Sequence, residues 1–123
     1  MVCWMCSLNK DYSKLYDTLF LSSKREYQYD YSIEVDNEFV IDIDTNGLVV
    51  AVEMQFASDV LGLSRNKLNG DLDCRVFVNV TQDIIKVRVI SEHISKCAEV
   101  KKGSIIERKT INNRHAKQGK YFL

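Results

Sequence analysis

The chain has 123 residues, 46% of them hydrophobic and 28% charged, with 17 Lys and Arg balancing 17 Asp and Glu. That is the length and composition of one globular domain with a real core, and the zero net charge exerts no overall pull toward nucleic acid or a membrane surface. No apolar run approaches the roughly 18 residues needed to cross a bilayer, and no basic region followed by a long apolar stretch opens the chain, so a cytoplasmic protein with reduced cysteines is expected.

The charges are unevenly placed. Between Glu26 and Arg65 there is no Lys or Arg, while Asp30, Glu34, Asp36, Glu38, Asp42, Asp44, Glu53 and Asp59 all fall there. From Lys101 onward, Lys101, Lys102, Arg108, Lys109, Arg114, Lys117 and Lys120 face only Glu107. No proline, repeat or low-complexity tract marks a linker. One domain over 1–123 is expected: a β-meander plus short helix at 16–61, a second β-rich half at 72–111, and a basic tail at 112–123.

The first ten residues hold Cys3 and Cys6 at Cys-x-x-Cys spacing; His93 and Cys97 follow later at His-x3-Cys spacing. Cys3, Cys6, His93 and Cys97 would make a chemically sensible zinc set. The second half of the set is not itself a Cys-x-x-Cys, and a thioredoxin-like motif belongs between a strand and a helix. Free thiols are the expected state, with Cys74 on an apolar strand face and no cofactor.

Leu15 to Ser22 predicts a first strand, with Leu19 and Leu21 on one face and Thr18 and Phe20 on the other. Tyr29, Tyr31, Ile33 and Val35 alternate with polar residues as a second, ending in an Asp36-Asn37 turn. The aromatics of this half suggest a platform for stacking bases, although such residues more often fill a sheet face. Asn46-Gly47 between two apolar alternations predicts a hairpin with a type I′ turn. In that register Ile43 faces Val50, Ile41 faces Val52 and Phe39 faces Met54, so Ile41, Ile43, Val50 and Val52 share a buried face. Asp42, Asp44, Asn46, Gly47, Val49 and Glu53 also fit EF-hand spacing. An EF-hand loop needs flanking helices, and both flanks here alternate with period two, so no calcium is expected.

Asp17-Thr-Leu-Phe-Leu21, Asp42-Ile-Asp44-Thr-Asn-Gly47, Val52-Glu53-Met54 and Ala57-Ser58 together resemble the small prokaryotic domain-of-unknown-function family 2283. The resemblance covers roughly Tyr16 to Leu61. Ala51 stands where that family usually has glycine, and the chain continues well past the family's end. The resemblance implies a compact β-meander closing with a short helix, and it supplies no activity and no catalytic residues.

Ser58 or Asp59 is expected to cap a helix through Leu61 that Gly62 ends, with one more turn at Ser64–Leu68. Cys74, Val76, Val78 and Val80 predict a strand. Ile85, Val87 and Val89 predict its partner, with Val80 opposite Ile85 and Val78 opposite Val87. Residues 91–102 fit strand or helix, and Ser104 to Ile111 predicts a last strand. The fold class is therefore mainly β (α+β), built of antiparallel hairpins with one or two short helices.

No motif converges on catalysis. Asp42 and Asp44 share a strand face about 6.6 Å apart by strand rise, but alternating acids are also how an exposed β-face looks. The expected function is a non-catalytic protein-interaction or assembly module. The alternatives are nucleic-acid binding through the basic C-terminal residues, and a small enzyme with an acidic site. A homodimer is expected, because Tyr16, Phe20, Val40, Val49, Ala51 and Phe77 fall opposite the main apolar set. Few apolar groups lie beyond Asn112, so deleting residues 112–123 is expected to leave the fold intact.

Overall fold

A computed structural model describes residues 8–91, 94–101 and 116–123. It is mostly antiparallel β, with two short helices. Strands β1 (Leu8–Ser13), β2 (Thr18–Ser23), β3 (Tyr29–Glu34), β4 (Phe39–Asp44) and β5 (Val49–Met54) form a sheet in the order β1-β2-β5-β4-β3. Helices α1 (Ala57–Leu61) and α2 (Arg65–Asn69) follow. Strands β6 (Cys74–Val80), β7 (Ile84–Ser91), β8 (Ile94–Lys101) and β9 (Gly119–Phe122) form a second sheet, β8-β7-β6-β9. Among the described residues no helix is long and apolar enough to cross a membrane.

Period-two alternation makes each sheet apolar on one side. Leu19, Leu21, Ile33, Phe39, Ile41 and Met54 of the first sheet join Val76, Val78, Ile85, Val87 and Val89 of the second in one buried cluster, which Leu61 and Leu68 of the helices complete. The two sheets thus cover each other's apolar faces, and their other faces point to solvent.

The hairpin tip differs from the type I′ expectation. Gly47 N–H donates to the Asp44 carbonyl at 2.9 Å, and Gly47 alone has positive φ (81°), so Asp44–Gly47 is an ordinary type I turn followed by a left-handed glycine. Asp44 sets this turn: its Oδ1 accepts from the backbone N–H of Asn46 (2.9 Å) and of Leu48 (2.8 Å). The outer pairs Phe39–Met54, Ile41–Val52 and Asp42–Ala51 keep the expected register. A bulge then places Val49, not Val50, opposite Ile43. Val49 belongs to the buried cluster; Val50 is buried outside it.

Two further expectations are corrected, and one reading left open is decided. The first strand is Thr18–Ser23, preceded by β1, whose polar sequence hides it. Residues 94–101 are strand. The last residues are not a tail: β9 pairs with β6 from Phe77–Phe122 to Val80–Gly119, and Leu123 and Ala116 are buried. Tyr121, Phe122 and Leu123 carry enough apolar surface to complete the sheet edge despite their basic neighbours. The predicted strand at 104–111 lies outside the described residues. The β6–β7 register is the expected one, Val80 with Ile85 and Val78 with Val87.

Candidate functional site: two oppositely charged sheet faces

The outward positions of the five-stranded sheet form two rows across its strands. One reads Asp11, Phe20, Glu53, Val40, Glu34; the next reads Asn9, Ser22, Ala51, Asp42, Ser32. The strands contain one cation, Lys10, and it sits on an inward position beside Leu21. Its ammonium donates to the carbonyls of Leu68 and Gly70 at the end of α2. The acids of this face therefore share their sheet surface with no Lys or Arg.

Tyr27, from the β2–β3 connection, folds over this face. Its hydroxyl is hydrogen-bonded to Ser22, and burial together with the Asp42 charge raises its pKa. Burial likewise raises the pKa of Asp42, against the opposing hydrogen bond from Ser32 Oγ (2.7 Å). Burial, and then the Asp42 charge, raise that of Glu53. The acidic pair that forms is thus Asp42 with Glu53. The Asp44 carboxylate instead accepts from the backbone N–H groups of Asn46 and Leu48, which commits it to the turn.

The outward face of the four-stranded sheet has the opposite sign. Cys97, Arg88, Phe77 and Phe122 lie in one row across β8, β7, β6 and β9, and Glu99, Lys86, Asn79 and Lys120 in the next. Arg75 and Ile90 pair one step further along. Phe77 and Phe122 meet edge to face, with ring centroids 5.3 Å apart. Lys86 lies 3.5 Å from Glu99, and Arg88 Nε donates to Cys97 Sγ at 3.4 Å. A depression of about 450 Å³ runs along Phe77, Lys86, Arg88, Lys120 and Phe122.

A third cluster joins the ends of β2 and β5. Asp17 is buried at positive φ (55°), and the exposed Phe56 shares that backbone conformation (φ 55°). Its carboxylate accepts from Tyr12 Oη (2.6 Å), Ser58 Oγ (2.6 Å) and Ser58 N–H (3.0 Å). Burial alone would raise the Asp17 pKa, but the hydrogen bonds from Ser58 and Tyr12, with the Arg65 charge, hold it below the usual range. The Tyr12 hydroxyl is pushed up to about 12 by burial and by its bond to Asp17. Every Asp17 bond is to a group that it positions, so the cluster caps α1 from 41 residues away and locks a turn; it offers no free base.

The other sequence-derived candidates divide. Cys3, Cys6 and His93 lie outside the described residues; Cys97 is exposed and Cys74 buried, neither in a disulfide. Lys102, Arg108, Lys109 and Arg114 also lie outside, and Lys101 ends β8. Lys117 is exposed, with its backbone N–H bonded to Gly47 O at 2.7 Å, and Lys120 points outward from β9. The EF-hand positions lie on strands and a type I turn, with Asp44 committed to that turn. In the set expected to drive dimerisation, Val49 is a core residue and cannot report on an interface, and Phe77 lies on the other sheet from Phe20 and Val40. Sequence reasoning missed the basic face. Its signal was present in the alternation of Arg75, Phe77, Lys86 and Arg88 with buried valines. Comparison with family models, with curated proteins and with solved structures finds no match.

Proposed function

We propose that the protein is a non-catalytic interaction module that assembles with itself, the acidic face of one copy meeting the basic face of the next. The observation that carries this is the opposite sign of the two outer faces, each with apolar groups among its charges. Asp42 and Glu53 are partly desolvated without a cation beside them on their own sheet, so a partner's Arg or Lys gains more there than at a fully hydrated carboxylate. Phe20 and Val40 on one side, and Phe77, Ile90 and Phe122 on the other, add apolar area, favourable by about 25 cal/mol per Å² buried. The two faces lie on opposite sides of the molecule. Such contact is head to tail: its smallest form is a dimer, and further copies can add.

A reducing cytoplasm suits Cys74 and Cys97. Kinship with domain-of-unknown-function family 2283 over roughly 16–61 is part of the same reading, on the sequence resemblance alone, and it brings no activity with it. Sedimentation at micromolar concentration tests the assembly. Species heavier than 14.2 kDa are expected at low salt and should dissociate as salt rises. A single monomer mass at every salt concentration refutes the proposal.

A further inference from the structure

We propose that the outer face of the four-stranded sheet binds single-stranded nucleic acid through Phe77 and Phe122, with Arg75, Lys86, Arg88 and Lys120 holding its phosphates. This is a second use of that face, distinct from self-assembly. It also differs from the nucleic-acid binding expected of the basic C-terminal residues, sharing only Lys120 with that set. Strands in a sheet lie about 4.8 Å apart, so the row Arg88, Phe77, Phe122 spans only about 10 Å across β7, β6 and β9. Lys86 and Lys120 flank it in the neighbouring row and Arg75 lies on the other side, so cations border the aromatic pair along both edges.

The only acid among the outward positions of these strands is Glu99, at the Lys86 end. The face therefore keeps a positive excess, in a chain whose net charge is zero. Phe122 is 53% exposed and stands edge to face with Phe77, so the pair offers ring surface to an unpaired base while fixing its own geometry. A gently twisted sheet with exposed rings suits splayed single strands, whose bases have open π-faces. A duplex hides those faces and would meet only the cations.

The same face cannot hold an oligonucleotide and the carboxylates of a second copy together. Binding should therefore disperse the assemblies proposed above, and the two proposals fail separately.

The test is fluorescence anisotropy with a labelled oligothymidylate of about a dozen nucleotides, the matching duplex, and polyglutamate as competitor, using the full chain. Tight binding of the single strand is expected, with a log–log salt slope near −3 for phosphate contacts to four cations. Phe122→Ala and Phe77→Ala should each weaken binding about tenfold or more, while Phe122→Trp retains it. Arg88→Glu should weaken binding and flatten the slope. Circular dichroism checks the folding of each variant, and Phe122→Ala decides the matter if Phe77→Ala does not fold. The proposal is overturned if no oligonucleotide binds at low salt, or if the duplex binds as well as the single strand. It is equally overturned if the alanine variants bind unchanged, or if polyglutamate competes on equal terms, which marks the face as a site for acidic protein. Oligonucleotide binding by a chain that sediments as a monomer throughout upholds this site while refuting self-assembly.

Discussion

On the five-stranded sheet, the outward positions carry Asp11, Glu34, Asp42 and Glu53 without a lysine or arginine; on the four-stranded sheet they carry Arg75, Lys86, Arg88 and Lys120 against Glu99. The inward positions of both sheets are mostly apolar, and their buried side chains merge in one cluster. The two layers thus solve the same packing problem and differ in what they show to solvent. They also differ in how their charges are held. The Lys86–Glu99 pair is about half exposed on each side, where an ion pair is worth little. Asp42, beside Tyr27, and Glu53 are partly withdrawn from water, which makes their charge costly.

The most forceful way to break this comparison is to remove β9. Deleting residues 116–123 takes away an edge strand, the buried side chain of Leu123, and both Lys120 and Phe122 from the basic face. A loss of about 4 kcal/mol or more is expected, enough to unfold a domain of ordinary stability, measured by thermal and urea unfolding. A truncated protein as stable as the full chain would show that β9 contributes little to the sheet.

Next in size is Asp17→Ala, which strips the acceptor from Tyr12 and from both Ser58 donors and leaves alanine at positive φ. About 3 kcal/mol of destabilisation is expected by denaturant unfolding, with Asp17→Asn losing roughly half as much because asparagine tolerates that backbone and keeps an acceptor. Since the Asp17 pKa is lowered in the folded protein, its contribution is present above the unfolded carboxylate pKa and lost as pH falls through the folded one.

Charge reversal tests the faces without touching the core. Asp42→Lys with Glu53→Lys, or Lys86→Glu with Arg88→Glu in a separate chain, should each weaken self-association at least tenfold, about 1.4 kcal/mol. Mixing the two variants should restore it. Failure of the mixture to associate, when each variant is folded, counts against face-to-face pairing.

The smallest effect is the pH dependence of the acidic face. Asp42 and Glu53 have raised folded pKa values, so the folded state holds their protons more tightly than the unfolded chain does. Their contribution to monomer stability is present below the unfolded pKa and lost as pH rises through the folded one, opposite in sign to Asp17. Asp42→Asn with Glu53→Gln should slightly raise the thermal midpoint at neutral pH and flatten its mildly acidic dependence. Self-association should weaken over the same acid range as the face loses charge.

The sequence alone determined most of the strands and the outer hairpin registers, because a period-two apolar pattern matches only one register when one face is buried. Ile41–Val52 and Val78–Val87 were legible for that reason. Tertiary structure decided what depends on distant partners. The bulge that exchanges Val49 for Val50 arises where the Asp44 turn joins a strand that must still meet the core. Strand β1 is polar and forms because β2 offers it an edge and α2 accepts Lys10. Strand β9 is four residues at the end of a basic stretch, and β6 supplies its ladder. The cap of α1 comes from Asp17 rather than from a neighbouring residue. The two charged faces were written along the strands from the start, but alternation cannot say which strands lie side by side. Only the sheet order gathers four acids onto one surface and four cations beside Phe77 and Phe122 onto the other.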